Sequence, residues 1–230
     1  MKNIAVIPAR GGSKRIPRKN IQNFHGKPMI HWTILAAKKS NLFDEIIIST
    51  EDQEIAQISE KLGAKVLFER PANLADDFST THEVMLHAVQ SLIDLDYTFD
   101  YVCCLYPCSP FIQSDDLKLS LDLIESSTNI YIYPVTEFAH PIHRAIRLLP
   151  GNNIQLIDNK TEKIRTQDLE LTYHDAAQFY WGSKDTWLNI DKMHSNALGY
   201  PIPNWRVVDI DNMEDLKRAE SIFKSLNFDV

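Results

Sequence analysis

Glycine is scarce in this chain, at seven of 230 residues where soluble domains average about 7%. Two of the seven nevertheless stand side by side, at Gly11 and Gly12. Cysteine is scarcer, with only Cys103, Cys104 and Cys108. An odd count with two adjacent members offers neither a disulfide framework nor tetrahedral zinc spacing, and suits packing in a reducing compartment. No apolar run approaches the ~20 residues of a bilayer span, so no membrane segment is expected. No signal segment is visible, which makes the cytoplasm the expected location. Acid is missing altogether from residues 1–43, which hold nine Lys or Arg and no Asp or Glu. The other 187 residues carry 15 basic and 31 acidic side chains, for a net charge of −7. That balance excludes a general nucleic-acid binder and leaves room for a local anion site. A basic, acid-poor N-terminus also fits an import presequence, but Ile4-Ala5-Val6-Ile7 has the pattern of a buried strand rather than an amphipathic helix. The 44% apolar and 24% charged fractions are those of a globular chain, not a disordered or fibrous one.

Short β-rich runs at 4–7, 45–49, 65–68, 101–106 and 129–133 alternate with helix-like spacing at 29–39, 52–62, 80–93 and 115–125. In the second helix Ile55, Ile58 and Leu62 share a face and Gly63 supplies the stop. Near-continuous apolar strands separated by helices predict an α/β fold, with a Rossmann-like, mainly parallel sheet and helices on both faces. In such sheets ligands bind at the carboxyl ends of the strands, which places the loop after Ile7 in the crevice. The alternation breaks after Tyr133. Residues 142–157 predict two short strands around Pro150-Gly151-Asn152-Asn153. A polar stretch follows, then a helix near 183–190, a strand over 205–210 and a helix over 212–226. The chain therefore reads as one domain, 1–230, with 136–182 inserted at a sheet edge as a lid or a dimerisation arm.

The loop runs Pro8-Ala9-Arg10-Gly11-Gly12-Ser13-Lys14-Arg15-Ile16-Pro17-Arg18-Lys19-Asn20. Small residues let backbone N–H groups approach phosphate oxygens, and flanking cations neutralise the charge. The spacing is neither that of a Walker loop nor that of the dinucleotide-binding glycine motif. Near the other end, Asp209 and Asp211 share a face if the segment is extended. Two carboxylates so placed suit Mg²⁺, which takes oxygen ligands and keeps waters and phosphate oxygens. Equally, Asp211 could cap the helix that begins near Asn212, and spacing alone leaves the two readings level.

These motifs resemble the nucleotidyltransferases that activate acidic nine-carbon sugars with CTP, the cytidylyltransferases for N-acylneuraminic acid and its relatives. The likeness rests on Pro8–Lys14, Pro17 and Lys19-Asn20, with Gly26-Lys27-Pro28-Met29, Ser49-Thr50-Glu51-Asp52, Arg70-Pro71 with Leu74-Ala75-Asp76-Asp77, Pro107 with Ser109-Pro110, and Asp209-Ile210-Asp211. It implies that Ala9, Arg10, Gly11, Gly12, Ser13, Lys14 and Lys19 hold the triphosphate, that Asn20 and Arg70 read the cytosine, and that Asp209 and Asp211 hold Mg²⁺. Arg10, Lys19 and Asp211 are then the candidate catalytic residues, for in-line attack of the sugar's anomeric hydroxyl on the α-phosphorus. Where the N-acetylneuraminate enzymes carry Gln, this chain has Tyr106, and its 166–182 segment resembles the branch whose sugar is pseudaminic acid. Tyr106, Arg165, Gln167, His174, Gln178 and Phe179 are the residues expected at the sugar, with Arg165 a fork for its carboxylate. Phe179, Tyr180 and Trp181 suit a role as core aromatics equally well. The resemblance further implies a homodimer. N-acylneuraminic or legionaminic acid as substrate, and a non-catalytic nucleotide-binding protein, are the alternatives.

Overall fold

Residues 4–8 are apolar on both faces, which a strand satisfies only inside a sheet covered on both sides. In the computed structural model, which describes residues 1–127 and 130–226, they lie in β1 (Asn3–Pro8). The chain continues through a small hairpin, β2 (Asn23–Phe24) and β3 (Lys27–Pro28), then α1 (Met29–Ser40), β4 (Glu45–Ser49), α2 (Gln53–Lys61), α3 (Thr81–Asp94), β5 (Tyr101–Leu105) and α4 (Ser114–Glu125). Beyond these come β6 (Tyr131–Glu137), β7 (Ile146–Leu148), β8 (Ile154–Leu156), β9 (Tyr173–Asp175), β10 (Phe179–Ser183), α5 (Lys184–Asn189), β11 (Ala197–Pro201) and α6 (Met213–Ser225).

The main sheet has the order β11-β6-β10-β5-β1-β4, with β9 added on β6. β1 is parallel to β4 and β5, and β11 is parallel to β6. β10 runs antiparallel to both of its neighbours, β5 and β6. Successive residues of β1 enter opposite cores. Ala5 and Ile7 pack with Ile30 and Ile34 of α1, Ile55 of α2 and Leu117 of α4, while Ile4 and Val6 pack with Met85 and Val89 of α3 and Trp187 of α5. The expected α/β architecture, a mainly parallel sheet with helices on both faces, is therefore present.

Several elements differ from expectation. Residues 65–68 form no strand: Lys65 makes an isolated bridge to Ile47, as does Glu69 to Thr50, while Val66, Leu67 and Phe68 pack against the core. The strand expected at 205–210 lies earlier, at Ala197–Pro201. Gly199 and Pro201 disguise it, and both are tolerated because β11 is an edge strand. Residues Asn204–Arg206 make a single 3-10 turn instead. The 136–182 segment divides. Its hairpin β7–β8 pairs only within itself, and its last residues return to the main sheet as β9 and β10. The expected strand at 129–133 begins at Tyr131, and Asn129 lies outside the described residues.

One buried ion pair fixes the far edge. Arg206 and Asp116 have side chains only 10% and 7% exposed, with Arg206 Nη2 donating to Asp116 Oδ1 at 3.2 Å. The pair ties α4 to the segment that leads into residues 207–211. Removing one partner leaves an uncompensated charge in a low-dielectric site, at a cost of about 3–5 kcal/mol. Asp116→Ala is accordingly expected to lower the urea midpoint by that stability. A midpoint within error of the parent chain would show that the pair is dispensable.

Candidate active site

The sheet brings its carboxyl ends together around a cavity of ≈ 670 Å³. Pro8 comes from the end of β1, Tyr106 to Ser109 follow β5, and residues 208–211 close one side. Because β10 is reversed, Ala177 in the segment that leads into it reaches the same rim. Of the residues expected at a nucleotide, Arg10, Ser13, Lys14, Lys19, Asn20 and Arg70 line this cavity, together with Asp209 and Asp211.

Each of the five cations in the 10–19 loop meets a carboxylate. Arg15 grips Asp211 with two hydrogen bonds of 2.9 and 2.8 Å. Lys19 donates to the Ile210 carbonyl at 2.7 Å and lies 3.6 Å from Asp211 Oδ1. Arg18 holds Asp52, with Nη2 donating to Oδ1 at 2.9 Å, and also Glu54. It does so from a left-handed backbone conformation, φ 57°, which is uncommon for a side-chain-bearing residue. Arg18 pulls the Asp52 carboxyl below its ordinary value, and Asp52 caps α2 by accepting from the Ile55 N–H at 3.0 Å. Arg10 and Lys14 share Asp77.

The two loop glycines have separate explanations. A Cβ on Gly11 would sit 2.4 Å from Asp52 Oδ2, whereas one on Gly12 would meet no described atom within 4 Å. The Gly11 N–H, expected to face phosphate, donates to Glu51 Oε1 at 2.7 Å. Ala9 is fully buried and its N–H donates to the Ser49 carbonyl at 3.0 Å, so it anchors the loop from below rather than lining the cavity.

Asn20 is buried and doubly held. Its amide donates to the Arg10 carbonyl at 2.8 Å, and its Oδ1 accepts from the Cys108 thiol at 3.1 Å. Burial pushes that thiol up to about 12, so it stays protonated and can donate. Arg70 is 3% exposed and is anchored to the end of β4, with Nε donating to Ser49 Oγ at 3.2 Å. Burial lowers its guanidinium to about 10.

Asp209 and Asp211 flank Ile210, which is buried against Leu216 and Phe223 of α6. The inward Ile210 turns both aspartates the other way, onto one face. Their alternative role as a helix cap goes to the next residue: Asn212 caps α6 by accepting from Glu214 and Asp215 at 2.8 and 3.0 Å. Burial and then the neighbouring Asp211 raise the Asp209 carboxyl above its ordinary value. Among the described residues no group of three or more His, Cys, Asp or Glu side chains is arranged to hold a metal. Asp209 and Asp211 between them offer two hard carboxylate oxygen donors at the cavity. That suits an ion which completes its shell with water and substrate phosphates.

The residues expected at the sugar are mostly elsewhere. Only Tyr106 lines the cavity; its hydroxyl is 2.6 Å from Thr81 Oγ1, and burial pushes it up to about 12. Phe179 is fully buried in the core. Gln178 is 4% exposed and donates to the Arg206 carbonyl at 2.7 Å. His174 packs its ring 4.7 Å from that of Phe138. Arg165 and Gln167 are exposed, with Arg165 donating to Asp168 at 2.6 Å. Instead a second cavity, ≈ 570 Å³, opens behind Tyr106 and Thr81, lined also by His82, Tyr180, Lys192 and His194. No motif marks these residues.

The cytidylyltransferase family model matches residues 4–226. The pseudaminic acid cytidylyltransferase of Campylobacter jejuni subsp. jejuni serotype O:2 is 41% identical over 227 residues, covering 97% of each chain. The N-acylneuraminate cytidylyltransferase of Escherichia coli O18:K1:H7 is 27% identical over 228 residues, which are 98% of this chain and 53% of that one. Among solved structures, a CMP:2-keto-3-deoxy-manno-octonic acid synthetase complexed with CTP superposes with a TM-score of 0.73 at 15% identity, covering 98% of this chain and 100% of that one. This last likeness is one of fold.

The glycines supply a direct check. Gly11→Ala forces Asp52 off Arg18 or shifts the loop, an overpacking cost of about 1–3 kcal/mol, or a fall of about 2–12 °C in Tm for a chain of this length. Gly12→Ala is expected to melt within about 1 °C of the parent. Equal effects from the two substitutions would contradict the close approach of Asp52.

Proposed function

The chain belongs to the cytidylyltransferase family, and we propose that it transfers CMP from CTP to the anomeric hydroxyl of pseudaminic acid, releasing pyrophosphate. The observation that carries the sugar's identity is the end-to-end likeness to the Campylobacter jejuni pseudaminic acid enzymes. Tyr106 in the cavity wall is consistent with it. Arg10, Lys19, Asp209 and Asp211, all present in one cavity, speak against a non-catalytic nucleotide-binding role.

In this reading Arg10, Ser13, Lys14 and Lys19 hold the triphosphate, and Asn20 and Arg70 meet the cytosine. Asn20 arrives with its amide already oriented by the Arg10 carbonyl and the Cys108 thiol. The sugar lies against Tyr106 and extends toward the second cavity. Its anomeric oxygen forms a bond to the α-phosphorus as the bond from that phosphorus to the bridging oxygen of pyrophosphate breaks, and the hydroxyl proton is lost to solvent. Such displacement depends on alignment and on charge placed where it develops, so a dedicated base is not required. Lys19 and Arg10 offset charge on the phosphates, and Arg15 orients Asp211. Asp209 and Asp211 would hold Mg²⁺, which when bound neutralises phosphate charge and makes the attacking hydroxyl more acidic.

No described helix is long and apolar enough to cross a membrane. The β7–β8 hairpin and its surroundings expose Leu148, Ile154, Ile157 and Leu171 at 71%, 67%, 57% and 64%. Large apolar side chains left this exposed favour an interaction site, and we assign it to a homodimer. Sedimentation velocity at micromolar concentration is expected to give a dimer, and a monomer would refute the assignment. For the reaction, CTP and Mg²⁺ are incubated with pseudaminic, legionaminic and N-acetylneuraminic acids, with product identified by mass. Pseudaminic acid is expected to turn over fastest, with no product after chelation of the metal. Faster turnover of N-acetylneuraminate would reject the substrate, and undiminished activity in chelator would reject the metal.

A further inference from the structure

The carboxylate that faces Arg10 and Lys14 belongs to the same cavity wall as those two cations. Arg10 Nη1 is 2.8 Å from Asp77 Oδ1, Lys14 Nζ contacts Asp77 Oδ2, and Arg10 also donates to the Asp76 carbonyl. One carboxylate thus presents a separate oxygen to each cation, as a phosphate group would. Lys14, and then Arg10, hold the Asp77 carboxyl below its ordinary value, so it is ionised at neutral pH.

The turn that carries Asp77 does not rely on it for shape. Asp76 Oδ1 accepts from the Phe78 N–H at 2.9 Å, the Ser79 N–H at 2.7 Å and the Ser79 hydroxyl at 2.8 Å. Directly after it, Thr80 and Glu83 form a capping box at the start of α3. Asp77 has one role left, its contact with the two cations. The contact is half-exposed, with Arg10 at 34%, Asp77 at 33% and Lys14 at 81%. Exposed ion pairs are weak and exchangeable. A triphosphate brings several negative charges to the same cations and displaces one carboxylate.

We propose that Asp77 is an internal competitor of the substrate's phosphates: it holds Arg10 and Lys14 between turnovers, yields them to CTP, and reclaims them as pyrophosphate departs. The inference rests on the reading that Arg10 and Lys14 hold phosphate. It makes Asp77 an affinity-setting residue whose removal tightens binding, whereas removal of a residue that merely positioned the cations would weaken it.

The test is calorimetric titration of the full chain with pyrophosphate and with CTP, at low and at high salt. Asp77→Asn and Asp77→Ser are both expected to bind pyrophosphate about five-fold more tightly than the parent, a factor in keeping with two exposed ion pairs. The gain should shrink at about 1 M salt, where such pairs are screened. Asp77→Glu, which keeps the charge, should bind like the parent. Unchanged or weaker binding by both neutral variants, with melting curves like the parent's, overturns the proposal. Lys14→Ala separates the two levels. If it weakens CTP binding while the Asp77 variants gain nothing, the competitor fails and the phosphate reading stands. If it leaves CTP and pyrophosphate binding unchanged, the phosphate reading fails and the competitor falls with it.

Discussion

Nine positive charges within 43 acid-free residues repel one another, and the fold answers with carboxylates from far along the chain. Five of those cations lie between residues 10 and 19, and they are met by Asp52 and Glu54 beyond β4, by Asp77 before α3 and by Asp211 before α6. Asp77 and Asp211 line the cavity with the cations they meet, so neutralising that part of the loop also builds the cavity's walls. The pairs at the cavity are partly exposed and individually weak. That leaves the cations exchangeable, ready for an anion of higher charge. The buried Arg206–Asp116 pair is of another kind, being enclosed and structural. Position in the fold, not residue type, separates the two uses of charge.

The reversed strand β10 is the second constraint. Wedged antiparallel between β5 and β6, it delivers Ala177 to the cavity rim, while Phe179 and Trp181 go into the core. The same stretch that resembles a sugar-binding segment is therefore largely occupied in holding the sheet together. Tyr106 gains its place from this pairing, because its N–H donates to the Gln178 carbonyl at 2.9 Å. The phenol then stands between the two cavities, lining both.

Elements governed by local periodicity were legible: β1, α1, β4, α2, α3, β5 and α4 all lie where alternation of apolar residues puts them. The cationic wall of the cavity was legible too, since a run of cations directly after a buried strand is read from short-range sequence alone. What was obscure depended on partners distant in the chain. Gly11 is small because of Asp52, 41 residues away, and its N–H goes to Glu51. β11 hides behind Gly199 and Pro201 and is a strand only because β6 pairs with it. Gln178 suits a sugar ligand until the Arg206 carbonyl claims its amide. Of the two readings of Asp211, the cap is taken by Asn212, whose side chain accepts from the first turn of α6.

Charge exchange on the 10–19 loop links the composition, the cavity and the chemistry, and the measurement that bears on it most directly is a crystal structure of the chain with CTP bound. Arg10 and Lys14 should then contact phosphate oxygens, with Asp77 released from both, while Arg18 keeps Asp52 and Arg206 keeps Asp116. Phosphates bound elsewhere, with the Arg10–Asp77–Lys14 contact intact, would contradict it.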